Sequence, residues 1–274
     1  MIVQTVDSLR CVLGRVCALS PSSLATLAGA ILIAAASSQA VAAPINYGDF
    51  MGTTVTYVGV TEDSNSGDTP PLFGAPTISG DSLDFDPVGF SASAKGEDGV
   101  DITDGNLKFM VVAKPGNTIS GIVLSEAGDT TLAGFGTDET FTAVLGQGIL
   151  KVSQVNGVPI NVISTPFTMS FSPSGGTYGL ATDGGGGPLY STGWSGGVTL
   201  DVDAFLASKN IAGKATKITI NLDNTLVALS ELGTESLIAK KDFGGVSITV
   251  IPEPSTCVLI GLAAIGLACS RRKS

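Results

Sequence analysis

Two runs of carboxylates are the groups in this chain best suited to hold a cation. They are Asp81-Ser82-Leu83-Asp84-Phe85-Asp86-Pro87 and Glu97-Asp98-Gly99-Val100-Asp101-Ile102-Thr103-Asp104-Gly105-Asn106. Loop carboxylates and carbonyls are what hard Ca²⁺ requires, with about 6–8 oxygens around the ion. If Ca²⁺ binds, Asp98, Asp101 and Asp104 are the expected ligands, and Ca²⁺ is the one cofactor the sequence suggests. The spacing lacks the Asp-x-Asp-x-Asp-Gly of an EF-hand, and solvated turns account for the same residues, since Asp and Asn favour turns without a metal. A second candidate is the stretch from Gly179 to Gly197, which holds Tyr190 and the only Trp, Trp194. An exposed aromatic face there would stack on a sugar ring; the competing reading is a hairpin connection whose ring plugs the end of the fold. The third candidate is glycoside hydrolysis by a carboxylate pair, with Glu126, Asp138 and Glu139 as the available groups. Glu231 and Glu235 read more simply as the solvated edge of a short helix. Four consecutive glycines, Gly184 to Gly187, lack the Gly-Lys-Ser/Thr context of a phosphate loop.

The residues that are missing exclude more than these suggest. The 274-residue chain has no His, so Ser-His-Asp and Cys-His nucleophile systems cannot be built, and zinc loses its main ligands. All four Arg (Arg10, Arg15, Arg271, Arg272) and all four Cys (Cys11, Cys17, Cys257, Cys269) lie in the terminal segments. Between Ala43 and Val250, 9 Lys face 22 Asp and Glu, a net charge of −13. That balance, without Arg, argues against nucleic acid as a partner, because phosphate neutralisation needs clustered cations. A middle without Cys has no disulfide, so core burial, assembly or bound ions must hold it together.

The elements that position these residues read as β-strands. Ile218, Ile220 and Leu222 alternate with Lys217, Thr219 and Asn221; Val246, Ile248 and Val250 alternate with Ser247 and Thr249. Val198–Val202, Phe167–Phe171 and Leu107–Ala113 show the same period of two. Further strands are expected at Thr53–Val60, Ile119–Leu124, Thr140–Leu145, Ile149–Val155, Val158–Ile163 and Thr225–Leu229, about eleven short strands in all, divided by Gly, Asp, Asn and Pro. Helix is expected only at Val202–Lys209, capped by Asp203, and as one turn at Glu235–Lys241. The fold class that follows is all-β: a single-domain antiparallel β-sandwich, jelly-roll-like, over residues 43–250.

The ends carry addresses. Arg10 and Arg15 precede an apolar run from Leu24 to Ala36 and the small-x-small exit Ala40-Val41-Ala42, the three parts of a secretory signal peptide cleaved after Ala42. At the other end stand Pro252-Glu253-Pro254, an apolar run from Cys257 to Cys269, and the basic triplet Arg271-Arg272-Lys273. The run is 13 residues, short for a bilayer, and snorkelling basic side chains that stay cytoplasmic would extend it. This pattern closely resembles the PEP-CTERM sorting signal of bacterial exosortase systems. The resemblance covers residues 251–274 and implies that Pro252, Glu253 and Pro254 are read by a membrane-embedded exosortase. It implies also that the apolar run is a transient inner-membrane anchor and that Arg271, Arg272 and Lys273 form a stop-transfer patch. The expectations are therefore a non-catalytic exported protein, with signal peptidase and exosortase as processing partners and exopolysaccharide as a further partner. Its destination would be the cell surface or extracellular matrix, after a membrane-anchored intermediate. A polysaccharide- or calcium-binding module is the alternative, and a glycosidase a third reading.

Overall fold

Period-two alternation does set the architecture, although it runs over longer strands than the sequence predicts. A computed structural model describes residues 43–252 apart from 65–66, 88, 98 and 242–245. Among the described residues fifteen strands join in one hydrogen-bonded, antiparallel network. Its register resolves into two arrays. In the first, β1 (Ile45–Met51), β2 (Val55–Asp63), β6 (Gly99–Ala113), β13 (Ala215–Ser230) and β8 (Phe141–Val155) lie side by side. The far edge of β8 carries β9 (Val158–Thr168) and β11 (Thr177–Gly179).

In the second array β7 (Ile119–Ala133) is central. One edge pairs with β12 (Leu189–Asp201), which carries β10 (Ser170–Ser172). The other edge is shared by β14 (Glu235–Lys240) and β15 (Val246–Pro252). Outside β14 lies β5 (Ser91–Lys95), and outside β15 lie β4 (Ser82–Phe85) and β3 (Thr77–Ser79). A single register pair, Ala215 with Ile119, joins β13 to β7 and so links the arrays.

The apolar phase of each strand faces one common core. From the first array come Val55, Tyr57, Leu107, Phe109, Val111, Leu150, Val152, Ile218, Ile220 and Leu222; from the second come Leu83, Phe85, Ile122, Leu124, Leu132, Leu200 and Ile238. Each side chain of this size contributes about 1.5–3 kcal/mol when removed from water. Phe73, from the connection before β3, meets Phe85 edge-on at 6.2 Å and Phe90, from the connection after β4, at 5.1 Å.

Five expectations change. The stretches Thr140–Leu145 and Ile149–Val155 are one 15-residue strand, β8, and Thr225–Leu229 continues β13 to 16 residues. Glu235–Lys241 is not helical: Glu235–Lys240 is β14, held by hydrogen bonds to β5 and β7 that a helix could not make. The helix at Val202–Ser208 (α1) exists, but its cap is Asp201, whose carboxylate accepts from Ala204 N at 2.8 Å, and Asp203 instead meets Lys214 Nζ at 2.9 Å. The last strand continues to Pro252, two residues beyond the expected domain boundary. Among the described residues no helix is long and apolar enough to cross a membrane. Ala40, Ala42, Glu253, Pro254, the Cys257–Cys269 run and Arg271, Arg272 and Lys273 lie outside the described residues.

Candidate functional site

Of the expected calcium ligands, the two described, Asp101 and Asp104, do not converge. Asp98 lies outside the described residues, and Asp101 and Asp104 are three apart on strand β6, not in a loop. An odd spacing on a strand sends side chains to opposite faces. Asp101 is in phase with buried Thr103 and Leu107 and accepts from Ser93 N at 2.8 Å; Asp104 is in the opposite phase. One ion therefore cannot draw on both.

Asp104 sits instead among other acids, Asp63, Asp68 and Asp223. Its own burial, followed by the charge and hydrogen bond of Asp223 and the charges of Asp68 and Asp63, pushes its pKa up to about 6. Asp81, in the first acidic run, is a structural clamp: its carboxylate accepts from Thr54 N at 2.7 Å and Thr54 Oγ1 at 2.6 Å.

The carbohydrate candidates are turned inward. Trp194 and Tyr190 lie on β12, four residues apart and therefore on one face, which packs on the core. Trp194 is 3% exposed, donates its Nε1–H to Asp129 O at 3.2 Å and meets Phe171 edge-on at 5.9 Å. A buried ring offers no face to a sugar, and Trp194 fills the core from the middle of a paired strand, not from a hairpin connection at the end of the fold.

The glycosidase candidates are separated. Asp138 and Glu139 line an open cavity of about 670 Å³, together with Glu97 and Glu231, but Glu126 is buried in the core. Asp138 accepts from Ala181 N at 2.9 Å and Thr182 N at 2.8 Å, and also from Thr182 Oγ1. The Thr182 bonds hold its carboxyl below the usual range, the wrong direction for a general acid. Glu231 closes the same loop by accepting from Thr137 N, and from Thr140 Oγ1 at 3.3 Å.

The most unusual chemistry lies between the arrays, at three residues of which the sequence reading names only Glu126. Each interrupts the inward phase of its strand: Glu126 follows Ile122 and Leu124 on β7, Asn224 follows Ile220 and Leu222 on β13, and Lys240 follows Ile238 on β14. That break in an otherwise apolar phase is the sequence signal that locates all three. Lys240 Nζ donates to Glu126 Oε2 at 2.5 Å and to Asn224 Oδ1 at 3.0 Å, and the Lys240 and Glu126 side chains are 0% exposed.

Aromatic rings wall the amine, with Phe90 at 4.9 Å, Phe73 at 5.8 Å and Trp194 at 5.9 Å from Nζ to the ring centroid. Glycines clear the space. Asn224 is flanked in register by Gly105 and Gly146. A Cβ on Gly105 would lie 2.6 Å from the Phe90 ring, and one on Gly146 would lie 2.9 Å from Asn224 Nδ2. Burial pushes the Lys240 amine below its ordinary value, with the adjacent Glu126 carboxylate pulling the other way.

The C-terminal end of the domain is the other feature of the fold with functional bearing. Along β15, Val250 is buried, Ile251 pairs with Gly121, and Pro252 is the last residue in register, opposite Ile119. A proline has no N–H to donate, which suits the end of a strand. The Pro-Glu-Pro segment thus begins on the sheet itself, with no intervening linker.

Residues 250–273 match the family model of the PEP-CTERM protein-sorting motif. No curated protein matches the chain. Among solved structures, it is similar to the enzymatically active domain of bacteriophage CBA120 tailspike protein 4, at 12% identity and a TM-score of 0.20 over 72% of this chain. The chain spans 19% of that tailspike chain. It is similar also to a mutant of the ENZbleach xylanase, at 8% identity and a TM-score of 0.20, over 74% of this chain and 89% of that one. At such TM-scores neither likeness bears on fold or function.

Proposed function

We propose that this chain is an exported, non-catalytic β-protein delivered through an exosortase, with its sorting signal grafted directly onto the last strand of the folded domain. The observation that carries this reading is the PEP-CTERM match at residues 250–273, starting where β15 is still paired to β7. Glu253 and Pro254 follow within two residues of the sheet. Processing there would remove the apolar run and the basic tail while leaving every strand intact, so anchored and released forms would share one domain. We read the two arrays, facing each other across a common core, as the layers of a jelly-roll-like β-sandwich, and the destination as the cell surface or matrix.

The non-catalytic reading is supported by what occupies the candidate acids. Glu126 is buried in the core, out of reach of an external substrate, and Asp138 and Glu231 hold loops through backbone hydrogen bonds. The surplus of acids between residues 43 and 250 would keep such a protein hydrated and soluble outside the cell.

The test is to express the chain in an exosortase-bearing bacterium and compare it with a chain carrying Pro252→Ala, Glu253→Ala and Pro254→Ala. The wild type is expected to lose its C-terminal tail and leave the inner membrane, and the triple variant to keep the tail and remain there. Equal processing of both chains would refute exosortase recognition of the motif.

A further inference from the structure

We propose that Lys240 and Asn224 condense into an intramolecular isopeptide bond, with Glu126 carrying the proton, so that a covalent amide ties the two arrays together. The three requirements for amide exchange meet here. An amine lies within hydrogen-bond distance of a carboxamide, at 3.0 Å from Nζ to Oδ1, so a small shift brings Nζ to the neighbouring Cγ at the near-attack range of about 3–3.5 Å. A carboxylate is in contact with that amine at 2.5 Å. Water is excluded, since Glu126, Asn224 and Lys240 are 2%, 0% and 2% exposed.

The surroundings favour the neutral amine. A buried ammonium and carboxylate each suffer desolvation, and passing one proton from Lys240 to Glu126 removes both charges. Glu126 Oε1 has no hydrogen-bond partner among the described residues, so the pair is not completed as a structural salt bridge would be. The rings of Phe73, Phe90 and Trp194 keep the site apolar, and Gly105 and Gly146 leave room beside the carboxamide.

The reaction balances without any co-reactant. Glu126 takes one proton from the Lys240 ammonium, and the freed lone pair on Nζ attacks Asn224 Cγ, pushing the carbonyl π pair onto Oδ1. A second Nζ proton passes to Nδ2 by way of Glu126. The carbonyl then re-forms as the Cγ–Nδ2 bond breaks, and Nδ2 departs with the bonding pair as ammonia. The amide keeps one hydrogen on nitrogen, and Glu126 keeps the proton it first accepted. Glu126 is thus a catalytic residue of a single-turnover reaction. The product would supply a domain that has no Cys between residues 43 and 250 with a covalent link between its layers.

Trypsin reads the outcome directly on the full chain. Residues 218–240 contain no internal Lys or Arg, so a free Lys240 yields the peptide Ile218–Lys240. An acylated Lys240 is not cut, and the peptide ends instead at Lys241, about 17 Da lighter than its linear mass through loss of ammonia. Its fragmentation is expected to show no backbone break between Asn224 and Lys240. Recovery of Ile218–Lys240 at full mass from folded protein would overturn the proposal. So would a loss of about 17 Da with Lys240 still cleaved, which marks a succinimide at Asn224. Because this map uses the wild-type chain, it does not depend on any variant folding. In a Glu126→Gln chain that stays folded, bond formation is expected to slow by about a hundredfold or more, and an unchanged rate would remove Glu126 from the chemistry.

Discussion

Strand β14 carries an ion pair at each end, and the two could hardly differ more. Glu235, its first residue, pairs across the sheet with Lys95, and both side chains are more than half exposed, at 54% and 77%. Lys240, its last residue, pairs with Glu126 at 0% exposure on both sides. At the outer end water solvates both charges whether or not they touch, so the contact changes little. At the inner end the partner, Asn224 and three aromatic rings stand where water would, so the pair is either satisfied or severely destabilising. The same two functional groups therefore decorate a surface in one place and constrain the folded state, and its chemistry, in the other.

Breaking the inner pair is expected to have the largest effect. Glu126→Ala leaves Lys240 buried without its carboxylate and should cost about 3–5 kcal/mol in urea denaturation. Replacing both charges, with Glu126→Leu and Lys240→Met, should recover the part of the loss that comes from uncompensated charge, though not the part that comes from the missing cross-link. If the double variant were as unstable as Glu126→Ala, packing and the lost cross-link, not uncompensated charge, would be the cause. The wall of the inner site comes next. Trp194→Phe removes the bond to Asp129 O and part of the ring over Lys240, for an expected loss of about 2 kcal/mol by thermal unfolding. Trp194 fluorescence should be that of a buried indole and unchanged by added oligosaccharide; a sugar-dependent shift would restore the carbohydrate reading.

The inner site was legible in the sequence only through its strands. Alternation in β13 shows which residues face inward, and Asn224 is conspicuous in that phase once the strand is followed from Ile218 to Ala228. Alternation breaks at glycines, however, and a reading that treats Gly as turn punctuation divides β8 at Gly146 and Gly148. These glycines are not turns. A Cβ on Gly148 would lie 2.3 Å from Asn221 O and 2.5 Å from the Phe167 ring, so the residue is small because its neighbours press close. Glu235-Ser-Leu-Ile-Ala-Lys240 holds good helix formers, and pairing to β5 and β7 overrides that preference, which hides the inward phase of Lys240. The sorting segment was legible because its order of motif, apolar run and basic tail is linear, and needs no tertiary partner to be recognised.

The outward acids extend the contrast to charges that face their own sign. Asp104, raised to about 6 by burial and then by Asp223, Asp68 and Asp63, binds its proton more tightly folded than unfolded. Its penalty is absent below the unfolded value of 3.8, grows as pH rises from there to about 6, and is complete above it. Asp104→Asn should therefore stabilise the domain at pH 7, by about 1 kcal/mol after allowance for solvent screening, and leave it unchanged at acid pH. A Tm difference that persisted below the unfolded value would place the effect in packing.

The smallest effect belongs to the outer end of β14. Lys95→Ala or Glu235→Ala should change stability by no more than about 0.5 kcal/mol, because each freed charge returns to water already in contact with it. Whatever remains should fade as ionic strength rises past about 0.15 M, where the screening length is about 8 Å. The inner pair should not respond to salt, since no counterion reaches it. A double-mutant cycle on Lys95 and Glu235 in low and high salt, set beside the cycle on Glu126 and Lys240, measures the contrast directly. A coupling for the outer pair comparable to the inner one would mean that the cross-strand register, not burial, governs the energy of both.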